Sequence, residues 1–539
     1  MKKLFCIALI MLVIPLFFGC NKEPPGGDSG GGNRPQQINT DGKKKIGAEG
    51  SGITLDMNVV TLTLGSSLVI GYTIGEDIEN AALVWSSGSP AVATVTPGSG
   101  DNGGTINTVL TSSTVISRPT DSFVTGAGTN TATITLRTSD NAFSDTIVIT
   151  TTTAATVNIM SLPPLKDQFY EHFSMIGNIA TGADAASNGS AITNSMLNRH
   201  FNTLTAENHM KPDALSNGRT GGVISYTWGN ADRFVNAATA SGFKIIGHTL
   251  LWHSQIPQWQ RNLAVSNTSS TALPIMKQFI TDVVTRYKGK IHTWDVLNEV
   301  FPDGVIASND WRLVMRGSGA GTDNQGSNPW YVAIGADFVF EGFLAARLAD
   351  PAAILYYNDY NTENVGKATM IRDMVLAVNN QYIALPAEQK PPGETPGRLL
   401  IEGIGMQEHH NTGVTAAQIK ASIDMFRAMN FTGSSAKIRL SVSELDILGQ
   451  GWSQFSSLGS GTNKQSQSTV TNNGIRDQAV KYGEFMLLYL QNKNIIERVS
   501  IWGITDNNSW RSGGLPLLFD PNGRAKPAYY SFVNALKNL

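Results

Sequence analysis

Cysteine is nearly absent from this chain, which holds Cys6 and Cys20 among 539 residues, so no disulfide framework can staple it. Excess charge of one sign is also missing. Lys and Arg number 40 against 42 Asp and Glu, a formal net charge of -2, which gives no field to gather nucleic acid or an anionic membrane surface. A neutral or locally recognised ligand fits better. Long hydrophobic runs are lacking too. The apolar run at residues 4–18 falls short of the ~20 residues of a spanning helix, but after Lys2-Lys3 it suits a secretory leader. Residues 1–19 are therefore read as a signal peptide on an exported protein, whose length leaves room for two folded units.

The segment Phe17-Phe18-Gly19-Cys20 resembles a bacterial lipobox, in which the cysteine becomes the lipidated N-terminus. That resemblance implies a membrane contact made solely through a lipid on Cys20. With Glu23 close behind, it is similar to Bacteroidetes lipoproteins held in the outer membrane facing the cell exterior. Residues 20–52, rich in Gly, Pro, Asp, Asn and Lys, have little to bury and are expected to be a flexible tether.

From residue 53 to 157 the texture becomes short alternating β-branched stretches, such as VVTLTL at 59–64 and TIVIT at 146–150, separated by turn residues. Period-two alternation at this spacing predicts a small antiparallel β-sandwich. The strings LVWSS at 83–87 and VATV at 92–95 resemble the bacterial Ig-like domains that space out surface proteins. A carbohydrate-binding module is the competing reading. Trp85 is the single Trp of the region and is assigned to the sandwich core, which favours a spacer.

From residue 162 to 539 the pattern is strand then helix, repeated. Strand candidates lie at 175–179, 203–206, 244–251, 292–297, 353–357, 400–406, 438–442 and 499–504, with amphipathic stretches at 231–241, 273–287, 334–348, 416–429 and 475–491. Eight such units predict an α/β fold of the (β/α)₈ TIM barrel type, whose reactive residues gather where the strands end. The candidate strands do end in polar groups. The second runs into Glu207-Asn208-His209-Met210-Lys211 and the third carries His248, Trp252 and His253. The fourth finishes in Asn298-Glu299, the sixth in Gln407-Glu408-His409-His410, the seventh in Glu444-Leu445-Asp446, and the eighth passes Trp502 to Trp510.

A glycosidic bond is cut by one protonated carboxyl on the leaving oxygen and, for retention, a second carboxylate at the anomeric carbon, ~5 to 5.5 Å from the first. Glu299 and Glu444, ending strands four and seven, are placed for that work. A lone strand-end glutamate is more often a salt-bridge partner; two across a barrel, one preceded by Asn, are not.

The strings GHTLLWHSQIPQW at 247–259, WDVLNE at 294–299, YYNDYN at 356–361, SELD at 443–446 and WGITDNNSW at 502–510 resemble the family 10 glycoside hydrolases, endo-β-1,4-xylanases that hydrolyse xylan with retention. The resemblance runs through residues 165–539. It implies Glu299 as acid/base, Glu444 as nucleophile, and Asn298 on the 2-hydroxyl of the sugar at the cleavage point. It implies further that His409, held by Asp446, keeps Glu444 ionised, while Glu299 stays protonated until its proton is needed. Glu207, Asn208, Lys211 and His248 would line the non-reducing-side sugars, Gln407 would support the site, and Trp252, Trp502 and Trp510 would face pyranose rings. Xylan and xylo-oligosaccharides are the implied partners; no cofactor or metal is implied, and a monomer is expected.

Some residues keep a plainer reading. His253 is as readily a packing residue as a ligand contact, Trp294 belongs to the core, and Asp295 braces its strand. Adjacent His409 and His410 lack a third ligand at metal-site spacing. Glu408 departs from the family, which has a small residue there, and is expected to add a carboxylate near the site. A cellulase or mixed-linkage glucanase of the same clan remains an alternative, as does a non-catalytic surface glycan binder, which would require a lost carboxylate. Catalysis is expected to need nothing before Leu162.

Overall fold

The computed structural model describes residues 52–63, 66–75, 82–97, 103–108, 130–152, 157–181, 196–266, 268–305, 307–319, 326–458 and 467–539. The leader, the lipid site at Cys20 and nearly all of the expected tether lie outside the described residues.

In the N-terminal region alternation governs. Within the strands Asn130–Thr138 and Ser144–Thr152, Ala132, Ile134, Leu136, Ile147 and Ile149 are buried while Thr131, Thr133, Thr146 and Val148, which alternate with them, face outward. One sheet runs Val59–Thr63, Ser144–Thr152, Asn130–Thr138, Leu83–Ser87; the other runs Ser67–Ile70, Gly104–Thr108, Ala93–Pro97. Their inner faces share a core that includes Leu55, Leu62, Ile70 and Ile106. Trp85 is half-buried at the edge of this core, edge-on to Tyr72 at 6.2 Å. It covers Gly104 so closely that a Cβ there would meet the indole at 2.9 Å, so this ring packs inward.

Beyond the sandwich lie eight parallel strands, here labelled β1 (Met175–Ala180), β2 (Thr203–Ala206), β3 (Lys244–Leu251), β4 (Thr293–Asn298), β5 (Ile354–Asp359), β6 (Gly403–Met406), β7 (Arg439–Leu448) and β8 (Ile496–Ile501). Each pairs with the next, and β8 pairs back onto β1, so the sheet closes on itself. Most strand residues are buried, as expected where both faces are covered. The covering helices are α1 (Met196–His200), α2 (Gly229–Ala240), α3 (Ser269–Arg286), α4 (Asp337–Ala349), α5 (Val365–Ile383), α6 (Ala416–Arg427), α7 (Asn472–Gln491) and α8 (Pro527–Asn534). The fold is a (β/α)₈ TIM barrel preceded by a small all-β sandwich.

Several boundaries differ from the sequence reading, β8 by three residues at each end, and for two of them the local reason is visible. β7 continues to Leu448 because the short strand His409–Asn411 pairs with Asp446, Ile447 and Leu448, carrying the ladder past the barrel rim. α4 begins at Asp337 because Gly335, at φ 86°, stops the short helix Pro329–Ile334 before it.

The sandwich is seated against the barrel. Ser67 N–H donates to Ser531 Oγ at 2.6 Å and its hydroxyl to Ala479 O at 3.3 Å, both serines being buried, while Asn538 Nδ2 donates to Val69 O. The strand Ser67–Ile70 thus lies on α7 and α8. Among the described residues no helix is long and apolar enough to cross a membrane.

Candidate active site

Because the eight strands run in one direction, their C-terminal ends open on one face, where a cleft of about 910 Å³ is lined by residues following seven of them. Glu299, immediately after β4, sits at φ 55°, a left-handed conformation that needs support from its surroundings. Its N–H donates to Asn358 O at 2.9 Å, its carbonyl accepts from Arg316 Nε at 3.0 Å, and the next N–H, of Val300, donates to Tyr357 Oη at 3.2 Å. Arg316 is itself fixed by donating to Tyr360 Oη at 2.7 Å, and Lys367 lies over the Tyr360 ring at 3.6 Å.

So clamped, the Glu299 side chain meets N–H donors. Oε1 accepts from Gln407 Nε2 at 2.9 Å and Asn298 Nδ2 at 3.1 Å; Oε2 accepts from Trp252 Nε1 at 2.9 Å and lies 4.0 Å from His253 Nε2. Burial pushes the Glu299 pKa up, but His253 together with the donors Gln407 and Trp252 outweighs it and holds the carboxyl below the usual range. Among these donors Glu299 therefore favours its ionised form, contrary to the expectation that it stays protonated.

Across the cleft Glu444, on β7, accepts from Asn358 Nδ2 at 2.7 Å and lies 3.1 Å from His409 Nε2. The other imidazole nitrogen of His409 is 3.0 Å from Asp446 Oδ2, and Asp446 Oδ1 accepts from Arg511 Nη1. Burial pulls the His409 pKa down, yet Asp446 and Glu444 outweigh it and raise it to about 9, so His409 is a cation at neutral pH. Burial pushes Asp446 up, and His409 with Arg511 overcomes that to hold it low. The two glutamates are joined through amides: Asn298 Oδ1 accepts from Asn358 Nδ2 at 2.9 Å and Gln407 Nε2 at 3.2 Å, and the same amides donate to Glu444 and Glu299.

One end of the cleft is formed by Glu207, Asn208, Lys211 and His248. Lys211 Nζ donates to Asn208 Oδ1 at 3.2 Å and Gln255 Oε1 at 2.6 Å and lies 5.0 Å above the Trp252 ring. Burial pulls its ammonium pKa down against the carboxylates of Glu444, Glu207 and Glu299. Burial likewise raises Glu207, opposed by Lys211. His248 Nδ1 is 3.0 Å from Asp295 Oδ2, which fixes the ring at the end of β3. Trp510 is 54% exposed at the cleft mouth and its indole N–H donates to Asp446 Oδ2 at 3.0 Å, whereas Trp502 is nearly buried, edge-on to His248 and His409.

Trp294 is wholly buried, and His253 is buried behind Trp252. Glu408 corrects a sequence expectation. At φ 62° its side chain turns away from the cleft, where Oε2 accepts from Tyr489 Oη at 2.6 Å and sits 2.8 Å from His410 Nε2. Its carboxylate adds no charge to the cleft lining. Reasoning from sequence also missed members of the site. Asn358 is the last residue but one of β5, where the strand-end rule would have found it; Trp452 comes from the short helix Trp452–Ser456 inside a polar loop, and Arg511 follows Trp510. Among the described residues, no three His, Cys, Asp or Glu side chains are grouped to hold a metal ion.

The model of glycosyl hydrolase family 10 matches residues 164–535. Endo-1,4-beta-xylanase A of Thermotoga neapolitana is 30% identical over 405 residues, covering 72% of this chain but 33% of that one, so the chain spans about a third of its length. The endo-1,4-beta-xylanase of Geobacillus stearothermophilus is 31% identical over 69% of this chain and 99% of its own. A crystal structure of a bacterial Ig-like domain-containing GH10 xylanase from termite gut is 46% identical, covers 89% of this chain and 99% of its own, and superposes with a TM-score of 0.66. That last likeness reaches back over the sandwich as well as the barrel. With a buried carboxylate at the ends of β4 and β7 and a family match over the whole barrel, the chain is a glycoside hydrolase belonging to glycosyl hydrolase family 10.

Proposed function

We propose that this chain is a retaining endo-β-1,4-xylanase, exported and anchored to the outer membrane, facing outward, through a lipid on Cys20. The observation that carries the catalytic reading is the pair of buried carboxylates, Glu299 and Glu444, bridged by Asn298, Asn358 and Gln407 yet placed in different proton environments. Glu444, facing the cationic His409, is the nucleophile: its oxygen bonds to the anomeric carbon as the glycosidic C–O bond breaks. Glu299 gives its proton to the departing oxygen, then takes one from the water that releases Glu444.

Glu299 must be protonated for the first step, although its donors favour the anion. A glycosidic oxygen arriving at Oε2 competes with the Trp252 N–H and excludes water, and both changes raise the carboxyl's pKa. Asn298 meets the 2-hydroxyl. Glu207, Asn208, Lys211 and His248 hold the non-reducing-side sugars, with Trp252, Trp502 and Trp510 against their rings. The wall of Lys211, His248 and Trp510 favours xylose, which has no hydroxymethyl group.

Digestion of plain xylan, decorated xylan and mixed-linkage β-glucan tests the substrate. Xylo-oligosaccharides alone are expected; cello-oligosaccharides at comparable rate would move the assignment to a glucanase. For the anchor, Cys20→Ala should shift the protein from the membrane to the soluble fraction with activity intact, and unchanged fractionation would remove it.

A further inference from the structure

Arg511 does two things at once. Its guanidinium is 1% exposed, and Nη1 donates to Asp446 Oδ1 and, at 3.1 Å, to His410 O. The central carbon of the same group lies 5.6 Å from the ring centroids of Trp452, Phe455 and Trp510. Phe455 is buried, while Trp452 is 55% exposed on the cleft wall. Asp446 leads inward, through His409 at 3.0 Å, to Glu444 at 3.1 Å. One buried cation therefore ends a chain of ionic contacts that starts on Glu444, and its other surface seats the aromatic rim. In the closed ring of eight strands β7 stands opposite β3, so Trp452, which follows β7, lies across the cleft from His248 and Trp252 of the non-reducing-side wall.

We propose that Arg511 is a positioning residue with separable roles: its charge fixes Asp446 and through it His409 and Glu444, and its plane fixes the Trp452 rim for the leaving-side sugars. The proposal rests on the assignment of Glu444 as nucleophile. Lysine and arginine differ in the way this requires, because an ammonium keeps the charge but offers no flat fork to carboxylate and aromatic rings together.

Three variants separate the roles: Arg511→Met, Arg511→Lys and Trp452→Ala, each checked for folding by thermal melting. An aryl xylobioside, which places no sugar on the leaving side, reads the charge; xylohexaose reads the rim. Arg511→Met should lower kcat on the aryl glycoside about tenfold or more, the scale of one lost charge-assisted contact near the nucleophile. Arg511→Lys should recover most of that kcat, yet keep a KM for xylohexaose roughly two- to fivefold above wild type, as expected from losing the guanidinium–aromatic contact. Trp452→Ala should raise KM for xylohexaose by a larger factor than it changes kcat on the aryl glycoside. Equal losses in the Lys and Met variants on both substrates, or an aryl-glycoside kcat loss in Trp452→Ala as large as its rise in xylohexaose KM, would overturn the separation. Should Arg511→Met not fold, the contrast of Arg511→Lys with Trp452→Ala still decides it. Failure of the nucleophile assignment shows independently, as residual turnover in Glu444→Ala.

Discussion

Two glutamates of one barrel mouth are set apart by what points at them. Glu299 receives N–H groups from Trp252, Gln407 and Asn298, whereas Glu444 faces an imidazolium and an amide. Trp252 is the partner whose removal is easiest to interpret, since phenylalanine keeps the ring face and deletes only the donor. With one bond to the carboxylate form gone, the Glu299 pKa moves up. Glu299 must hold its proton when the glycosidic bond breaks, and a higher pKa keeps that proton to higher pH, so the alkaline limb of kcat/KM for xylan should move up in Trp252→Phe. An unchanged or lowered alkaline limb would mean that Glu299 is not the group titrating there. Resemblance of motifs led to Glu299, Glu444, His409 and Asp446, but it put a proton on Glu299 that the structure does not favour, because the donors that set its pKa come from strands distant in sequence.

At the level of elements, sequence alone gave strands more faithfully than the loops behind them. Each barrel strand is a short apolar run closed by a polar cluster, a pattern written locally, so β2 and β3 were placed residue for residue. The clamp on Glu299 is not local. Arg316 belongs to a loop after β4 and reaches a backbone carbonyl, a contact with no periodicity or motif to announce it. Arg316→Met should loosen the left-handed Glu299 backbone without touching the sugar wall. The expectation is a fall in kcat of up to about 10²-fold with KM little altered, the mark of a displaced catalytic group. A rise in KM at unchanged kcat would place Arg316 in binding instead. Glu408 illustrates the same limit in reverse: sequence position put it beside the nucleophile, and a positive φ turned it onto Tyr489 of α7.

Across the whole molecule, the sandwich is more than a tethered bead. Ser67 and Ser531, separated by 464 residues, bond within a buried contact, and two small polar side chains so far apart leave no trace a sequence reading could follow. Every residue of the cleft nevertheless belongs to the barrel. A protein beginning at Leu162 should keep its turnover on soluble xylan while its Tm drops by a few degrees, since hydrogen bonds of ~1 kcal/mol each are removed from α7 and α8. An unchanged Tm would deny that the docking contributes to stability, and loss of turnover in the folded barrel would show that the sandwich serves the cleft. The barrel's larger purpose is to bring β4 and β7 to face one bond, and the division of labour there is the centre of the account. Glu299→Ala, given an activated aryl xylobioside, should release a burst of phenol and stall as the glycosyl-enzyme, then resume with azide and yield the β-xylobiosyl azide. Recovery of the α-azide, or rescue in Glu444→Ala alone, would contradict it.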